Sequence, residues 1–392
     1  MSTSFEYITL SSSDDAQHLG NILAQCFNSP PQDNSRYMDR VGSERFRAVR
    51  QNSQIVGGLA TIPMHQWWGK QLVPMTGIAA VGIAPEARGS GAAIALLQHT
   101  LQELYDTGVP ISVLYPATQR LYRKAGYEQG GTYTGWTIPT TAIQVKAQPL
   151  PIQAIAATEA KAFLNLQQQH AQRHNGHLDR HPALWQETLE SVSTEPTYAF
   201  QIGALNQPEG YIIYSQHRVG EENIIRIRDW AILTPAAGHS LWTFLANHRS
   251  QVAHIRWRSS PIDLLSLLLP EQTAETRSTM RWMLRIVNVG LALEKRGYPL
   301  ELETELHLDV RDEWLAGNNG KFVLSVANGT GKITQGGRGD LQLDIRGLAP
   351  LYTGLFSPQQ LQLTGYLTAT DAALAIATQL FAGSAPWLPD FF

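Results

Sequence analysis

Hydrophobic and polar positions follow different periods in three successive stretches of the chain. In residues 1–140, helix-like and strand-like patterns alternate. Leu19, Ile22, Leu23 and Phe27 fall on one stripe, and Ser12 or Ser13 stands ready to cap its start, so a helix is predicted over 14–27. Residues 54–62 read as a strand stopped by Pro63, and 75–84 as a second apolar run ended by Pro85. Ile94, Leu97, Leu101, Leu104 and Tyr105 recur at close to 3.6, predicting a helix over 92–105 that Gly108 and Pro110 end. A strand over 109–115 and a short helix over 118–125, closed by Gly126, complete a β–α–β–α order that predicts an α/β unit.

Residues 137–152 hold three prolines and few charges and read as a linker. Beyond it, helices are predicted over 157–173 and 239–249, and strands over 211–214, 224–230 and 252–258. This order roughly repeats the first stretch without repeating its residues. From about Met283 the period shortens to two. Leu300, Leu302, Leu306, Leu308 and Val310 alternate with polar residues, as do Phe322, Leu324 and Val326, and then Leu341, Leu343 and Ile345. Gly-rich turns separate these runs, a helix follows over 371–381, and the stretch predicts an α+β domain on an antiparallel sheet. Three domains are expected: 1–140, 141–282 and 283–392.

The length of 392 residues suits such a division, and 43% apolar against 16% charged residues excludes a disordered chain. The formal charge of −3 argues against a nucleic-acid partner. A single cysteine, Cys26, rules out an internal disulfide. Apolar clusters such as 264–269 are too short to span a bilayer, which needs ~20 residues, and the first residues do not read as a secretory signal. A cytoplasmic protein without a membrane partner is expected.

The strongest chemical signal is VGIAPEARGSGAAIALL at 81–97. A short strand runs into a turn with the spacing Arg88-x-x-Gly91-x-Ala93, and a helix begins there. Glycines let backbone N–H groups approach a ligand, and a helix start carries partial positive charge, so the segment suits a pyrophosphate. It is neither a dinucleotide fingerprint nor a Walker loop. About thirty residues on, ATQRLYRKAGYEQGG at 117–131 places Tyr122 four residues before Gly126, which Tyr127 follows.

Together these segments resemble the GNAT acetyltransferase superfamily. The whole chain resembles the enhanced intracellular survival (Eis) family, with Gly176-x-Leu178-x-Arg180 and Trp185 similar to its central-domain pattern. The resemblance implies two tandem GNAT-like domains, the second without cofactor, followed by a sterol-carrier-protein-like domain. It implies acetyl-CoA as co-substrate, no metal, and a homohexamer. By the same resemblance, Val81, Gly82 and Ile83 pair with the pantetheine arm. Arg88 opens the pyrophosphate loop, which Gly89, Ser90, Gly91, Ala92, Ala93 and Ile94 form, and Ala117 and Thr118 line the cofactor. Tyr122 is the implied general acid, Tyr127 its decoy, and the carboxylate of Phe392 the implied base. Some family loops carry several consecutive arginines where this one has Arg88 alone. Acidic contacts near the terminus do not transfer, because Phe391 and Asp390 precede the last residue.

The expected activity is N-acetylation of a primary amine on a cationic acceptor: aminoglycoside-like, a polyamine or a lysine side chain. The alternative is a lipid or apolar-ligand carrier with a vestigial transferase site. His170, His174, His177 and His181 form a helix-spaced row, but Gly176 interrupts it, and the row reads as a solvated helix end rather than a metal site. Cys26 reads as a small buried residue rather than an acyl acceptor. Trp67 and Trp68 form either an acceptor-pocket wall or a packed hairpin. Arg120, Arg123 and Lys124 form either a contact to the CoA 3′-phosphate or a solvated face.

Overall fold

The computed structural model describes residues 5–156, 161–191 and 195–392. The first stretch runs β1 (Glu6–Thr9), α1 (Ser13–Phe27), α2 (Pro31–Val41), β2 (Phe46–Gln51), β3 (Gln54–Trp68), β4 (Gln71–Ile83), α3 (Ala92–Asp106), β5 (Ile111–Leu114), α4 (Gln119–Lys124) and β6 (Glu128–Pro139). The second runs β7 (Ile152–Ile155), α5 (Lys161–Ala171), β8 (Leu178–Asp179), α6 (Pro182–Leu189), β9 (Thr197–Ala204), β10 (Gln207–Val219), β11 (Glu222–Ile232), α7 (Pro235–Ala246), β12 (His254–Ser259) and β13 (Glu275–Ile286). The third runs α8 (Val289–Lys295), β14 (Thr304–Arg311), β15 (Gly320–Ala327), β16 (Thr330–Gln335), β17 (Leu341–Asp344), α9 (Ile345–Thr353), α10 (Pro358–Leu363), β18 (Leu367–Ala369) and α11 (Asp371–Leu380). Two compact units result: 1–130 with 282–383 and Phe392, and 131–281 with 384–391.

In the first unit, β1, β2, β3, β4 and β5 lie side by side, and β13 continues the order through Met283–Leu114 and its neighbours. Strands β4 and β5 run parallel, from Met75–Ile111 to Ile78–Leu114. Ser12 caps α1 by accepting from the Asp15 N–H, as its position predicts. Leu19 and Leu23 of that helix are buried, but Phe27, expected on the same stripe, is exposed. Helix α3 buries Leu96, Leu97, Leu101 and Leu104 against Ile78, Leu114, Tyr122 and Tyr127.

A five-stranded sheet ordered β16-β15-β14-β17-β18 belongs to the same unit. It is mixed rather than antiparallel, because β14 and β17 pair in parallel. The alternation at Leu300 and Leu302 precedes the strand, which begins at Thr304, and Leu300 is exposed. Ile345 opens α9 instead of ending β17, since the Asp344 side chain accepts from the Arg346 and Gly347 N–H groups. A fully buried Arg285–Asp312 ion pair at 2.7 Å is completed by Asn318, whose side-chain amide also donates to Asp312.

In the second unit, β6, β12, β11, β10, β9 and β7 form the sheet. One face packs α7 through Leu241, Trp242 and Leu245 against Ile225, Ile227 and Trp257. The other face packs Phe163, Leu166 and Trp185 of α5 and α6 against Tyr211 and Ile213. The expected linker at 137–152 begins inside a strand: residues 137–139 end β6, with Ile138 opposite Ile255. The helix expected over 157–173 is described over 161–171, and 157–160 lie outside the described residues.

Pro63 does not end β3, which continues to Trp68 opposite β4. Strand β2 covers β3 only as far as Ala60, so Pro63 lies past the two-sided part of this unit's sheet, where a missing N–H is tolerated. Trp67 and Trp68 are buried at the tip of that hairpin, with Trp68 against Trp282 and Tyr352, which is the packed-hairpin alternative.

Candidate active site

Strand β4 continues to Ile83, but its parallel pairing with β5 stops at Ile78–Leu114. The two strands therefore part, and Val81, Gly82 and Ile83 have no β5 partner on that side. On the other side, Gly82 and Ile83 pair with Gly58 and Gly57, after a register shift that puts Ala80 at φ 49°. The bulge re-aims the end of β4. Gly82 is needed there because a Cβ would meet Leu23 and Cys26. Cys26 is partly buried, and its thiol donates to the Ile83 carbonyl at 3.3 Å.

From β4 the chain turns through one 3-10 turn, Pro85–Ala87, into α3. Gly89 and Gly91 have φ of 80° and 95°, values that L side chains rarely adopt. A Cβ at Gly89 would meet nothing within 4 Å, and one at Gly91 only Phe5 at that limit. Glycine is thus set by backbone conformation, and the space beside the loop stays open. No side chain caps α3 at Gly91. Ser90 lends a weak contact to the Ala92 N–H at 3.4 Å, and its hydroxyl donates to the Ala87 carbonyl. The first N–H groups of the helix, on Ala92, Ala93 and Ile94, have no partner within the helix. Arg88 is exposed, with its Nε donating to the Ile83 carbonyl at 3.4 Å. An oxyanion placed against this loop would meet backbone donors and the positive end of α3.

Ala117 and Thr118 are exposed on the segment that leaves β5, and Thr118 starts α4 without capping it by its side chain. Tyr122 follows on α4, buried against α3 and β4. Burial pushes its phenol up to about 12, so the hydroxyl stays protonated at neutral pH. That hydroxyl has no hydrogen-bond partner among the described residues. Tyr127 differs. It is fully buried, and its hydroxyl lies 2.8 Å from Ser112 Oγ, which itself donates to the Thr76 carbonyl. The Tyr127 proton is therefore committed to Ser112.

Phe392 lies in the same unit. Its ring packs edge-on against Tyr115 at 5.7 Å and fills the space where a Gly77 side chain would be. Gly77 and Ile78 are consecutive on β4 and face opposite sides of the sheet. Phe392 touches the Gly77 side, and Tyr122 packs with Ile78 on the other. The two residues thus flank the point where β4 and β5 part, one from each face.

The second unit holds what sequence reasoning missed. His170, His174 and His177 are not solvated. They pack ring against ring at 4.6 and 4.8 Å, and Trp387 of the chain's last segment stands 4.2 Å from His177. Burial pushes the His174 imidazole down to about 4 and holds His170 and His177 well below their usual value. Among the described residues, no group of three His, Cys, Asp or Glu side chains is placed to hold a metal. Arg180 is buried between two carboxylates, Asp229 at 2.6 Å and Asp390 at 2.7 Å, and lies over the Trp185 ring. A charged residue inside the apolar run PWLPDFF was the available signal for this anchor. Burial, opposed by Arg180, pushes the Asp390 carboxyl up to about 6. Arg123 of the basic group on α4 is paired with Glu128 at 2.9 Å.

Comparison with known proteins bears on this geometry. Residues 7–130 and 176–286 each match a model of the acetyltransferase (GNAT) domain, and 289–389 match the sterol carrier protein domain. The N-acetyltransferase Eis of Mycobacterium tuberculosis is 27% identical over 320 residues, covering 78% of this chain and 77% of that protein. A GCN5-related N-acetyltransferase from Anabaena variabilis is 57% identical, with 99% and 100% of the two chains covered and a TM-score of 0.97. Another from Kribbella flavida is 27% identical, with 100% and 99% covered and a TM-score of 0.87. Among the described residues, no helix is long and apolar enough to cross a membrane. The chain belongs to the GCN5-related N-acetyltransferases, in the Eis-like group that joins two acetyltransferase domains to a sterol carrier protein domain, and it is an acetyltransferase.

Proposed function

We propose that the first unit transfers acetyl groups from acetyl-CoA to primary amines. The observation that carries this reading is the parting of β4 and β5, with an open glycine loop beyond it and Tyr122 and Phe392 on its two faces. Val81, Gly82 and Ile83 lie on the edge of β4 that β5 leaves, where an extended pantetheine can run alongside. Gly89, Gly91, Ala93 and Ile94 offer N–H donors to the pyrophosphate, Ser90 and Ala92 shape the loop between them, Arg88 adds a charge at the loop's start, and Ala117 and Thr118 line the opposite strand's exit. Acetyl-CoA supplies the activated acetyl group as a thioester.

A carboxylate on Phe392 has a reference pKa of about 3.3–3.7 and is ionised at neutral pH, so it accepts the proton that an attacking ammonium must lose. Tyr122, protonated at neutral pH, is the general acid: as the amine nitrogen bonds to the acetyl carbon and the carbon–sulfur bond breaks, it gives its proton to the departing sulfur. The domains in this reading are 1–140 for catalysis, 141–282 as a second GNAT-like fold without cofactor, and 283–392 as the sterol-carrier-like domain. The acceptors proposed are aminoglycoside-like amines, polyamines or lysine side chains, in a cytoplasmic homohexamer. Sedimentation giving the mass of one chain would remove the hexamer.

The test mixes the full chain with acetyl-CoA, a panel of such amines and a thiol-detecting dye. Amine-dependent thiol release is expected. Silence across the panel, with no acetyl-CoA binding by calorimetry, would favour a carrier with a vestigial site.

A further inference from the structure

The second unit contains a cavity of about 560 Å³ on the sheet face opposite α7. Its floor is a row across three strands. Ser215 of β10 lies opposite Arg226 of β11, and Arg226 lies opposite Arg256 of β12. Two like charges directly opposite one another weaken a strand pair. Arg258 and Arg277 add to the lining, as does Arg228. Arg228 is held by the backbone carbonyls of Glu187 and Glu190, and Arg258 lies over the Tyr133 ring at 4.0 Å. Arg226, Arg256 and Arg277 make no ion pair among the described residues.

The polar groups between them are also unsatisfied. Ser215 is only 1% exposed, and among the described residues its hydroxyl has no hydrogen-bond partner. The same holds for Arg256 Nε and His217 Nδ1, both buried atoms in the lining. Buried polar atoms are nearly always satisfied, so three orphans in one cavity mark a missing partner. Glu187, Glu195 and Asp390 also line the cavity, with Asp390 paired to Arg180, so five guanidiniums share it with three acidic residues.

We propose that this cavity binds a small anion carrying two or more negative charges, on phosphoryl or carboxylate groups. Such a ligand would accept from Ser215 and Arg256 and separate the opposed charges of Arg226 and Arg256. Arginine forks suit both oxyanions. Burial, with Arg277 nearby, holds the Arg256 guanidinium below its usual value, and burial with Arg226, Arg256 and Arg277 lowers His217, so a bound negative charge relieves both. The volume fits a small-molecule ligand rather than a macromolecular surface. This inference does not depend on the proposed acetyl transfer.

The test is calorimetric titration of the full chain with pyrophosphate and, separately, citrate, with CoA saturating to occupy the loop at 84–91. One saturable site per chain is expected for at least one probe, and the probe that binds distinguishes phosphoryl from carboxylate chemistry. Arg226→Gln and Arg256→Gln should each weaken it about tenfold or more, with Arg249→Gln, exposed and outside the cavity, as an unchanged control. CoA affinity should be equal in all variants. Without anion, Arg256→Gln should melt above the parent, and the anion should raise the parent's melting temperature but not the variant's. If Arg256→Gln fails to fold, the exposed Arg277→Gln should show the same loss. No saturable binding of either probe, or an unchanged affinity in the cavity variants, would overturn the proposal.

Discussion

The strand–turn–helix that follows β4 and the one that follows β11 occupy corresponding places in the two acetyltransferase domains, and they end differently. After β4, eight residues with two left-handed glycines lead into an α3 whose start no side chain caps. After β11, only Leu233 and Thr234 intervene. Thr234 Oγ accepts from the Ala237 N–H and donates to the Glu209 carboxylate at 2.5 Å. One helix start is left open to an anion, while the other is satisfied from within and guarded by a negative charge. The parallel pairing also ends in each case, after Ile78–Leu114 and after Arg226–Arg256. A glycine and an aromatic ring meet beside the first, and a row of arginines beside the second. The same fold thus leaves one helix start open and satisfies the other through the length and capping of one turn.

Phe392, on the side of the open helix start, should respond most strongly. A short C-terminal extension, or an amide in place of the carboxylate, should lower kcat by about 10²–10⁴-fold with acetyl-CoA affinity preserved. Full turnover by an extended chain would send the search for the base to Asp and Glu side chains. Tyr122→Phe should lower kcat within the same range, whereas Tyr127→Phe should cost about 1 kcal/mol of stability and leave kcat intact. The reverse pattern would exchange the two tyrosines.

Arg180→Met sharpens the comparison from the other side, because the second unit serves here as an anchor for residues 384–391. Leaving Asp229 and Asp390 buried without their partner should destabilise by about 3–5 kcal/mol, read as a fall in melting temperature. Turnover should fall as well, since Asp390 stands two residues from Phe392, and CoA affinity should hold.

The smallest effect is in pH. The folded imidazoles of His170, His174 and His177 sit below their unfolded value of about 6.5, so between about pH 6.5 and 4 the unfolded chain binds more protons. Stability should fall as the pH drops through that window. Asp390, raised to about 6, acts in the opposite direction, but as one group against three. A melting temperature lower at about pH 5 than at about pH 7, with the difference reduced in His177→Gln, is the expected result. An unchanged melting temperature would mean that the three imidazoles gain protons in the folded chain.

Much of the first unit was legible because its signals are local. Ser12 capping α1, the 3.6 period of α3 and the glycines at 89 and 91 act within one or two turns of chain. What was not legible depends on partners distant in sequence. Pro63 reads as a stop until the short reach of β2 is known. The histidines read as a polar helix end until Trp387, more than two hundred residues on, closes over them. Arg226 and Arg256 are ordinary strand residues in sequence, and only the β11–β12 register sets them opposite each other. At the candidate site, the family resemblance singled out Tyr122 from Tyr127, and the structure adds a physical difference, a committed hydroxyl against an uncommitted one.

The open turn before α3 should let one of the two acetyltransferase domains take CoA. Calorimetric titration of CoA into the full chain and into Gly91→Arg tests it most directly. A side chain at Gly91 must adopt a φ of 95° and would project into the space left for the pyrophosphate. One CoA per chain is expected, with binding weakened severely in Gly91→Arg while the fold persists. Two CoA per chain, or an unchanged affinity in the variant, would mean that this turn is not what holds the cofactor.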